Sequence, residues 1–293
     1  MIAVKLLIIV AKIRKNSELW IMIFNYFRIF ASMMVENSKI DERISELLEQ
    51  LNPITLEEMS GIRLMNRTDT KFVTNKRKLA QLLELAQGKY YAQFNNGSRI
   101  ADYMTTYWDT DSHHFYFEHH NGRAPRQKVR VRTYMDSNDT FLEVKTKNNH
   151  GRTKKKRIEV SGQEITQERE RADEFLSGLV HRELGDMHPA VRNRFHRITL
   201  VNYGKTERLT IDFDIRFQNF ETRDEAGTGE LVIIELKRDG NVYSPVLEIL
   251  HRLRIKPSGF SKYCIGSVMT NQGLKRNLFK EKLVRIGKLV AAE

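Results

Sequence analysis

Several stretches of this chain alternate charged and apolar residues at a period of two, and most of the charged members are Lys or Arg. Lys128, Arg130 and Arg132 project to one side of a strand whose other side is Val129 and Val131. Glu143, Lys145 and Lys147 do the same opposite Leu142 and Val144. Lys155, Arg157 and Glu159 oppose Ile158 and Val160. Further on, Arg208, Asp212, Asp214 and Arg216 oppose Leu209, Ile211, Phe213 and Ile215, and Glu235 and Lys237 oppose Val232, Ile234 and Leu236. Neighbouring strands with so much like charge repel each other unless an anion lies between them. An open sheet with a solvated second face would account for any one strand. Repetition of the same chemistry favours a closed barrel, apolar outside under helices and charged within. Such a lumen is electrostatically intolerable without counterions, so it implies an oligophosphate-like ligand plus a metal.

The elements that must position these residues can be read in order. Ser38 to Leu51 has the spacing of an amphipathic helix, with Ile40, Ile44, Leu47, Leu48 and Leu51 on one face. Asn52-Pro53 ends it, and a short acidic-started helix follows from Thr55. A strand is expected over Arg67 to Val73, then a helix from Lys76 to Ala86 with Asn75 as its cap and Gly88 as its stop. From Tyr90 to Val160 the pattern predicts strands: Tyr103 to Thr110, Phe115 to His119, Arg126 to Tyr134, Thr140 to Lys147 and Lys154 to Val160. Asn121-Gly122 reads as a hairpin turn. Gln163 to Val180 is expected to be helical. Strands are expected at Arg192 to Tyr203, Glu207 to Phe217 and Glu230 to Lys237. Helices are expected from Ser244-Pro245 to about Ile255 and over Leu274 to Val290. The whole reads as one α+β domain on an antiparallel sheet, covering residues 36 to 293.

At 293 residues the chain can bury one large core, and its 40% hydrophobic and 29% charged residues are ordinary for a globular protein. The net charge of +12 is not, and it points to a polyanionic partner. A single cysteine, Cys264, excludes an internal disulfide and a multi-cysteine zinc site, which fits a reducing, cytoplasmic setting. Residues 1 to 35 form an apolar extension. Neither of its runs gives the ~20 uninterrupted apolar residues that span a bilayer. Three readings stay open for it: an interfacial anchor, a core-packing extension, or sequence upstream of a start at Met33 or Met34. Membrane association is therefore left open.

Other chemistries find no support. No Walker-type glycine loop is present, and Gly227-Thr228-Gly229 is too short a signal to replace one. There is no Gly-x-Ser-x-Gly elbow. His113-His114 and His119-His120, if on a strand, point to opposite faces and do not converge on a metal. The aromatics Tyr103, Tyr107, Trp108, Phe115, Tyr116 and Phe117 could stack bases, but core packing is the expected role.

Six motifs occur in order: Arg67-x-Asp69-x-Lys71-Phe72, Tyr107-Trp108-Asp109-Thr110-Asp111, Lys128-x-Arg130-x-Arg132, Leu142-Glu143-x-Lys145-x-Lys147, Ile234-Glu235-Leu236-Lys237 and Phe260-Ser261-Lys262-Tyr263. Together they resemble the VTC domain of polyphosphate polymerases, within the triphosphate tunnel metalloenzyme superfamily, over about residues 60 to 270. The resemblance implies an antiparallel β tunnel barrel with surrounding helices. It further implies transfer of the γ-phosphate of ATP onto inorganic polyphosphate, with manganese or magnesium as cofactor and no nucleic-acid partner. Carried over by motif, Arg130, Arg132, Lys145 and Lys237 would form the catalytic clamp. Lys71, Arg197, Lys262 and the Ser261 hydroxyl would hold phosphates, with Lys155 and Arg208 as additions, and Glu235 would ligate the metal. A tunnel triphosphatase or polyphosphatase, and a non-catalytic polyphosphate or RNA binder, are the alternatives. The chain departs from the family pattern at three places. Arg67-x-Asp69-x-Lys71 stands where triphosphatase relatives carry Glu-x-Glu-x-Lys, which favours the polymerase branch. Phe195 stands where Tyr is frequent, and Gly259 where a basic residue is frequent in eukaryotic members. Neither the phosphate-sensing domain nor the membrane segments of eukaryotic relatives are recognisable.

Overall fold

The alternating segments form strands that join one sheet in a computed structural model. It describes residues 36, 38–60, 67–149, 152–163, 165–180, 184–240 and 242–291. The expectations for residues 1 to 35 lie outside these. Contacts divide the chain into Met1–Leu47 and Leu48–Glu293. In the first unit residues 38–47 are helical, with Ile44 and Leu47 buried as their spacing requires.

The second unit holds β1 (Asn52–Ile54), β2 (Arg67–Asn75), β3 (Tyr90–Gln93), β4 (Ala101–Asp109), β5 (Arg126–Tyr134), β6 (Asp139–Lys147), β7 (Thr153–Val160), β8 (His188–Asn202), β9 (Glu207–Asn219), β10 (Glu225–Gly227) and β11 (Leu231–Asp239). The main path runs β2-β11-β9-β8-β4-β5-β6-β7 and every pairing along it is antiparallel. The short β1 and β3 pair parallel at its flank. The fold is thus α+β, as expected, on an antiparallel sheet.

The sheet curls into a tunnel. Lys145 on β6 interacts electrostatically with Lys71 on β2 and Glu235 on β11. In a flat sheet β6 and β11 would stand five strand spacings apart, roughly 24 Å at ~4.8 Å each. That is far beyond the ~8 Å screening length of physiological salt. Among the described residues no ladder joins β2 to β7, so the sheet curls without closing, in contrast to the closed barrel expected from the alternation.

Outside, the helix Lys76–Ala86 buries Leu79, Leu82 and Leu83 and packs against β2, β11 and the helix Pro245–Arg252. Each such leucine contributes about 1.5–3 kcal/mol by leaving water. Asn75 caps it as the sequence predicts, its Oδ1 accepting from the Lys78 amide at 3.0 Å. Thr55 and Glu58 form a reciprocal capping box on the short helix Leu56–Ser60 (2.8 and 3.2 Å).

Three expectations need correction. Phe115 to His119 is not a strand but lies in the helix His114–His120, and Asn121-Gly122 follows its C-terminus instead of turning a hairpin. The cause is Asp109. Its buried carboxylate accepts the amides of Phe115 and Tyr116 (both 2.9 Å), supplying the helix start that local sequence lacks. Strict alternation also fails in β9. One extra residue between Phe213 and Arg216, with Asp214 at φ +52°, makes a β-bulge opposite β8. Asp212 remains inside and Leu209 and Ile211 outside. Beyond the bulge Ile215 and Phe217 turn inward with Tyr263, Ile265 and Val268. Finally, Lys262–Thr270 is a helix that periodicity did not predict. It is buried almost all round, so it has no amphipathic signature. Packed on β8 and β9, it plugs one end of the lumen together with Val73, Val191, Phe217 and Ile233.

Candidate functional site

The lumen face is set by register. Lys71 pairs with Glu235 across β2 and β11, and Lys237 with Arg208 across β11 and β9. Asp212 faces Arg197 across β9 and β8. Arg130 faces Glu143, and Lys128 faces Lys145, across β5 and β6. Residues directly opposite in an antiparallel pair share a face, so these side chains all enter one space.

Three carboxylates organise it. Glu143, with no exposed side-chain surface, accepts from Arg130 Nε (2.7 Å) and Nη2 (2.6 Å) on one oxygen and from Lys155 Nζ (2.9 Å) on the other. Asp212 takes Arg197 Nε (2.6 Å) and Nη2 (2.8 Å), a bidentate pair, and also Lys262 Nζ. Glu235 takes Lys237 Nζ (2.6 Å), with Lys71 Nζ at 3.4 Å. Burial alone would raise all three carboxyls. The adjacent cations outweigh it and hold each far below the usual carboxylate range.

The cations feel the opposite pressure. Burial, with Lys71 and Arg130 nearby, lowers Lys145 to about 8. Burial also lowers Lys262 to about 8 despite Asp212, with Arg197 and Lys71 adding to the effect. Lys128 and Arg132 are likewise pushed down, first by desolvation. Burial would raise the Tyr107 phenol, but Arg130, Lys128, Arg132 and Lys262 bring it to about 8. These shifts mark a space with more positive charge than its carboxylates neutralise, and an anion would relieve it.

The remaining supports are local. Lys128 Nζ donates to Ser261 Oγ (2.9 Å), and that oxygen caps the plug helix by accepting from the Cys264 amide (3.2 Å). Arg132 Nε donates to Thr105 Oγ1 (3.1 Å). Phe195 gives its ring face to Lys262 (4.2 Å) and Arg197 (5.3 Å), so the phenylalanine serves the cations directly. Tyr263 stacks on Tyr107 (centroids 5.0 Å) and gives its hydroxyl proton to Asp109. That contact joins the Tyr107–Asp111 motif to the Phe260–Tyr263 motif.

The residues expected at the site thus divide clearly. Lys71, Arg130, Arg132, Lys145, Arg197, Glu235, Lys237, Ser261 and Lys262 are brought together. Lys155 sits at the edge with its side chain 41% exposed, tied to Glu143. Arg208 neighbours Lys237 but gives Nη2 to the Met59 carbonyl (3.3 Å). Asp212 and Tyr107 were not singled out as site residues, nor was Lys128 assigned a ligand role. Strand alternation carried Lys128 and Asp212, whereas nothing local distinguishes Tyr107 from a core aromatic. Of the suggested base-stacking aromatics, Tyr107, Trp108, Phe115 and Tyr116 are core residues.

Among the described residues no group of three or more His, Cys, Asp or Glu could hold a metal. A hard divalent ion needs fewer when substrate phosphates supply the other oxygens, and one or two carboxylates then suffice. Glu235, ionised and beside Lys71 and Lys237, has the chemistry to serve as such a single anchor.

Over residues 66–271 the sequence matches the family described as VTC domain. Among solved structures, the chain is similar to HpAC1 of Hippeastrum, described as an adenylyl cyclase candidate with a dominant triphosphatase activity. The identity is 15%, covering 71% of this chain and 97% of that one, with a TM-score of 0.48. It is also similar to an adenylate cyclase candidate of Bacillus halodurans (15%; 67% and 96%; 0.45) and to the PH1012 protein of Pyrococcus horikoshii OT3 (12%; 70% and 99%; 0.40). No curated protein matches the chain.

Proposed function

The chain belongs to the VTC domain family, and we propose on that premise that it is a metal-dependent phosphotransferase extending inorganic polyphosphate from ATP. The observation that carries this reading is the convergence of Lys71, Arg130, Lys145, Arg197, Lys237 and Lys262 around carboxylates that are already ion-paired. Among the described residues nothing there is arranged as a protein nucleophile. The site is built to grip phosphates and stabilise charge, which is what phosphoryl transfer chiefly requires.

In the proposed reaction the triphosphate of ATP lies along the lumen. Lys71, Arg197, Ser261 and Lys262 hold it, with Lys155 and Arg208 at the margins. An oxygen of the terminal phosphate of the chain attacks the γ-phosphorus in line. A new P–O bond forms as the β–γ bond breaks, and ADP leaves with the bond's electron pair. Arg130, Arg132, Lys145 and Lys237 surround the transferring group and neutralise the charge on its oxygens. Glu143 keeps Arg130 and Lys155 aimed, and Glu235 would hold a divalent ion, manganese or magnesium, which supplies further charge neutralisation.

Incubation with ATP and manganese, followed by electrophoresis for long phosphate polymers, tests this directly. Polymer with stoichiometric ADP supports the reading; orthophosphate alone shows a tunnel triphosphatase instead. Glu235→Gln should lower turnover ~10²-fold or more, as loss of a key electrostatic group does, while triphosphate binding persists. Salt-sensitive polyphosphate or RNA binding with no turnover in either protein would make it a binder.

A further inference from the structure

The lumen face changes character along its strands. Beside the plug helix it carries Lys128, whose ammonium meets Ser261 (2.9 Å), and next along β5 come Arg130 and Arg132. The same period of two then brings Tyr134 onto that face, six residues and roughly 20 Å from Lys128. Register carries the change to the neighbouring strands. Tyr103 on β4 lies opposite Tyr134 on one side and Phe195 of β8 on the other, and Phe141 on β6 lies opposite Arg132. Residues opposite each other share a face, so Tyr103, Tyr134 and Phe141 belong to the lumen and not to the core beneath the outer helices.

These rings touch. Tyr103 and Tyr134 have centroids 5.0 Å apart, and Phe141 meets Tyr134 edge-on at 5.8 Å. The buried Phe195 stacks on Tyr103 at 5.3 Å and so fixes its plane. Arg132 and Arg197 lie 5.7 and 4.7 Å from the Tyr103 centroid, which couples the rings to the phosphate-binding cations. Arg157 of β7 holds its guanidinium 4.2 Å from the Phe141 centroid and is itself exposed. Tyr103, Tyr134 and Phe141 stay half-buried, with ring surface left for a ligand. A phosphate chain gains nothing from uncharged rings. A planar base gains from each ring face and from a guanidinium plane.

Resting on the triphosphate-binding lumen proposed above, we infer that Tyr103, Tyr134, Phe141 and Arg157 form a stacking site for the nucleobase of the incoming nucleoside triphosphate, at the end of the lumen away from the plug helix. The plug fills the opposite end, which directs the base of a nucleotide whose phosphates lie among Arg130, Arg197 and Lys262 toward these rings. Stacking uses a π-face that every base has, so the site selects a nucleotide over bare oligophosphate without choosing strongly among bases.

The test is equilibrium binding of ATP, GTP and inorganic tripolyphosphate to the full chain and to Tyr134→Ala, Phe141→Ala and Tyr134→Phe. The two alanine variants should each weaken ATP and GTP by ~10-fold, within the range for loss of one stacked aromatic. Tripolyphosphate affinity should stay within about twofold, the ordinary size of a change made away from the ligand. Tyr134→Phe keeps the ring and should retain the parent's ATP affinity. A nucleotide carrying a fluorescent purine analogue should be quenched by stacking in the parent and in Tyr134→Phe, and less so in Tyr134→Ala. Equal losses for ATP and tripolyphosphate would mean that the rings serve to hold Arg132, Arg157 and Arg197, and unchanged ATP affinity in both alanine variants would mean that no base stacks there; either overturns the inference. A parent that binds tripolyphosphate but not ATP overturns the stacking site and leaves the phosphate-binding lumen standing. A parent that binds neither overturns the lumen reading and the stacking site with it.

Discussion

Glu143→Gln separates an organising carboxylate from a binding one. The side chain is fully buried and neutralises two cations, Arg130 through two hydrogen bonds and Lys155 through one. The substitution keeps the shape but removes the charge, and it turns an NH2 group toward one of those donors. Breaking a buried pair by removing one partner costs about 3–5 kcal/mol. Lys155 can turn toward water, which places the expected cost near the lower end, at about 3 kcal/mol. At ~2–4 °C per kcal/mol for a domain of this size, Tm should fall by roughly 6–12 °C at neutral pH. Triphosphate should restore part of it, because a phosphate oxygen can take the place of the lost carboxylate beside Arg130. The ligand-induced rise in Tm should therefore exceed the parent's at the same concentration. The pH dependence has a definite sign. Glu143 is held far below its unfolded value near ~4.3, so its contribution is complete above that pH and declines as pH falls toward the folded pKa. The gap between parent and variant should narrow from about pH 4.3 downward. Scanning fluorimetry across pH, with and without tripolyphosphate, provides the readout. A Tm within ~2 °C of the parent at pH 7, under one kcal/mol by the same scale, would refute the assigned role. So would a gap that stays constant to pH 3.

Two further outcomes follow from the geometry. Lys145 and Lys262 stand at about 8 when no anion is present, below the unfolded lysine value near ~10.4. The unfolded chain then binds more protons between these values, so ligand-free stability should rise with pH across that window. A bound triphosphate raises both pKa values, so binding at pH 8 should take up protons and affinity should fall from about pH 7 to about pH 9. Calorimetry in two buffers of different ionisation enthalpy would show this, and identical heats would exclude it. Separately, Gly266→Ala places a Cβ 2.5 Å from Phe217 Cδ1. Overpacking of this kind costs about 1–3 kcal/mol, read as a lower Tm that Phe217→Leu in the same chain should partly restore.

The sequence alone located the lumen face. A period of two is set by backbone geometry, so Lys128, Arg130, Arg132, Glu143, Lys145, Glu235 and Lys237 fall on the charged side whatever surrounds them. The Asn75 cap and the short acidic-started helix from Thr55 could also be read locally, since capping acts within a turn. Tertiary structure decided the rest. Asp109 makes a helix of the aromatic run Phe115 to Phe117 because a carboxylate from a strand end satisfies its first amides. The bulge at Asp214, held by Lys76 (2.7 Å) and His196 (3.2 Å), reverses the faces of Ile215 and Phe217. The plug helix has no polar side for periodicity to detect. Spacing could name the cations, but which of them find carboxylates depends on how the strands curl together. That curl pairs Arg130 with Glu143 and Arg197 with Asp212, and leaves Lys145 near Glu235 without a direct ion pair among the described residues.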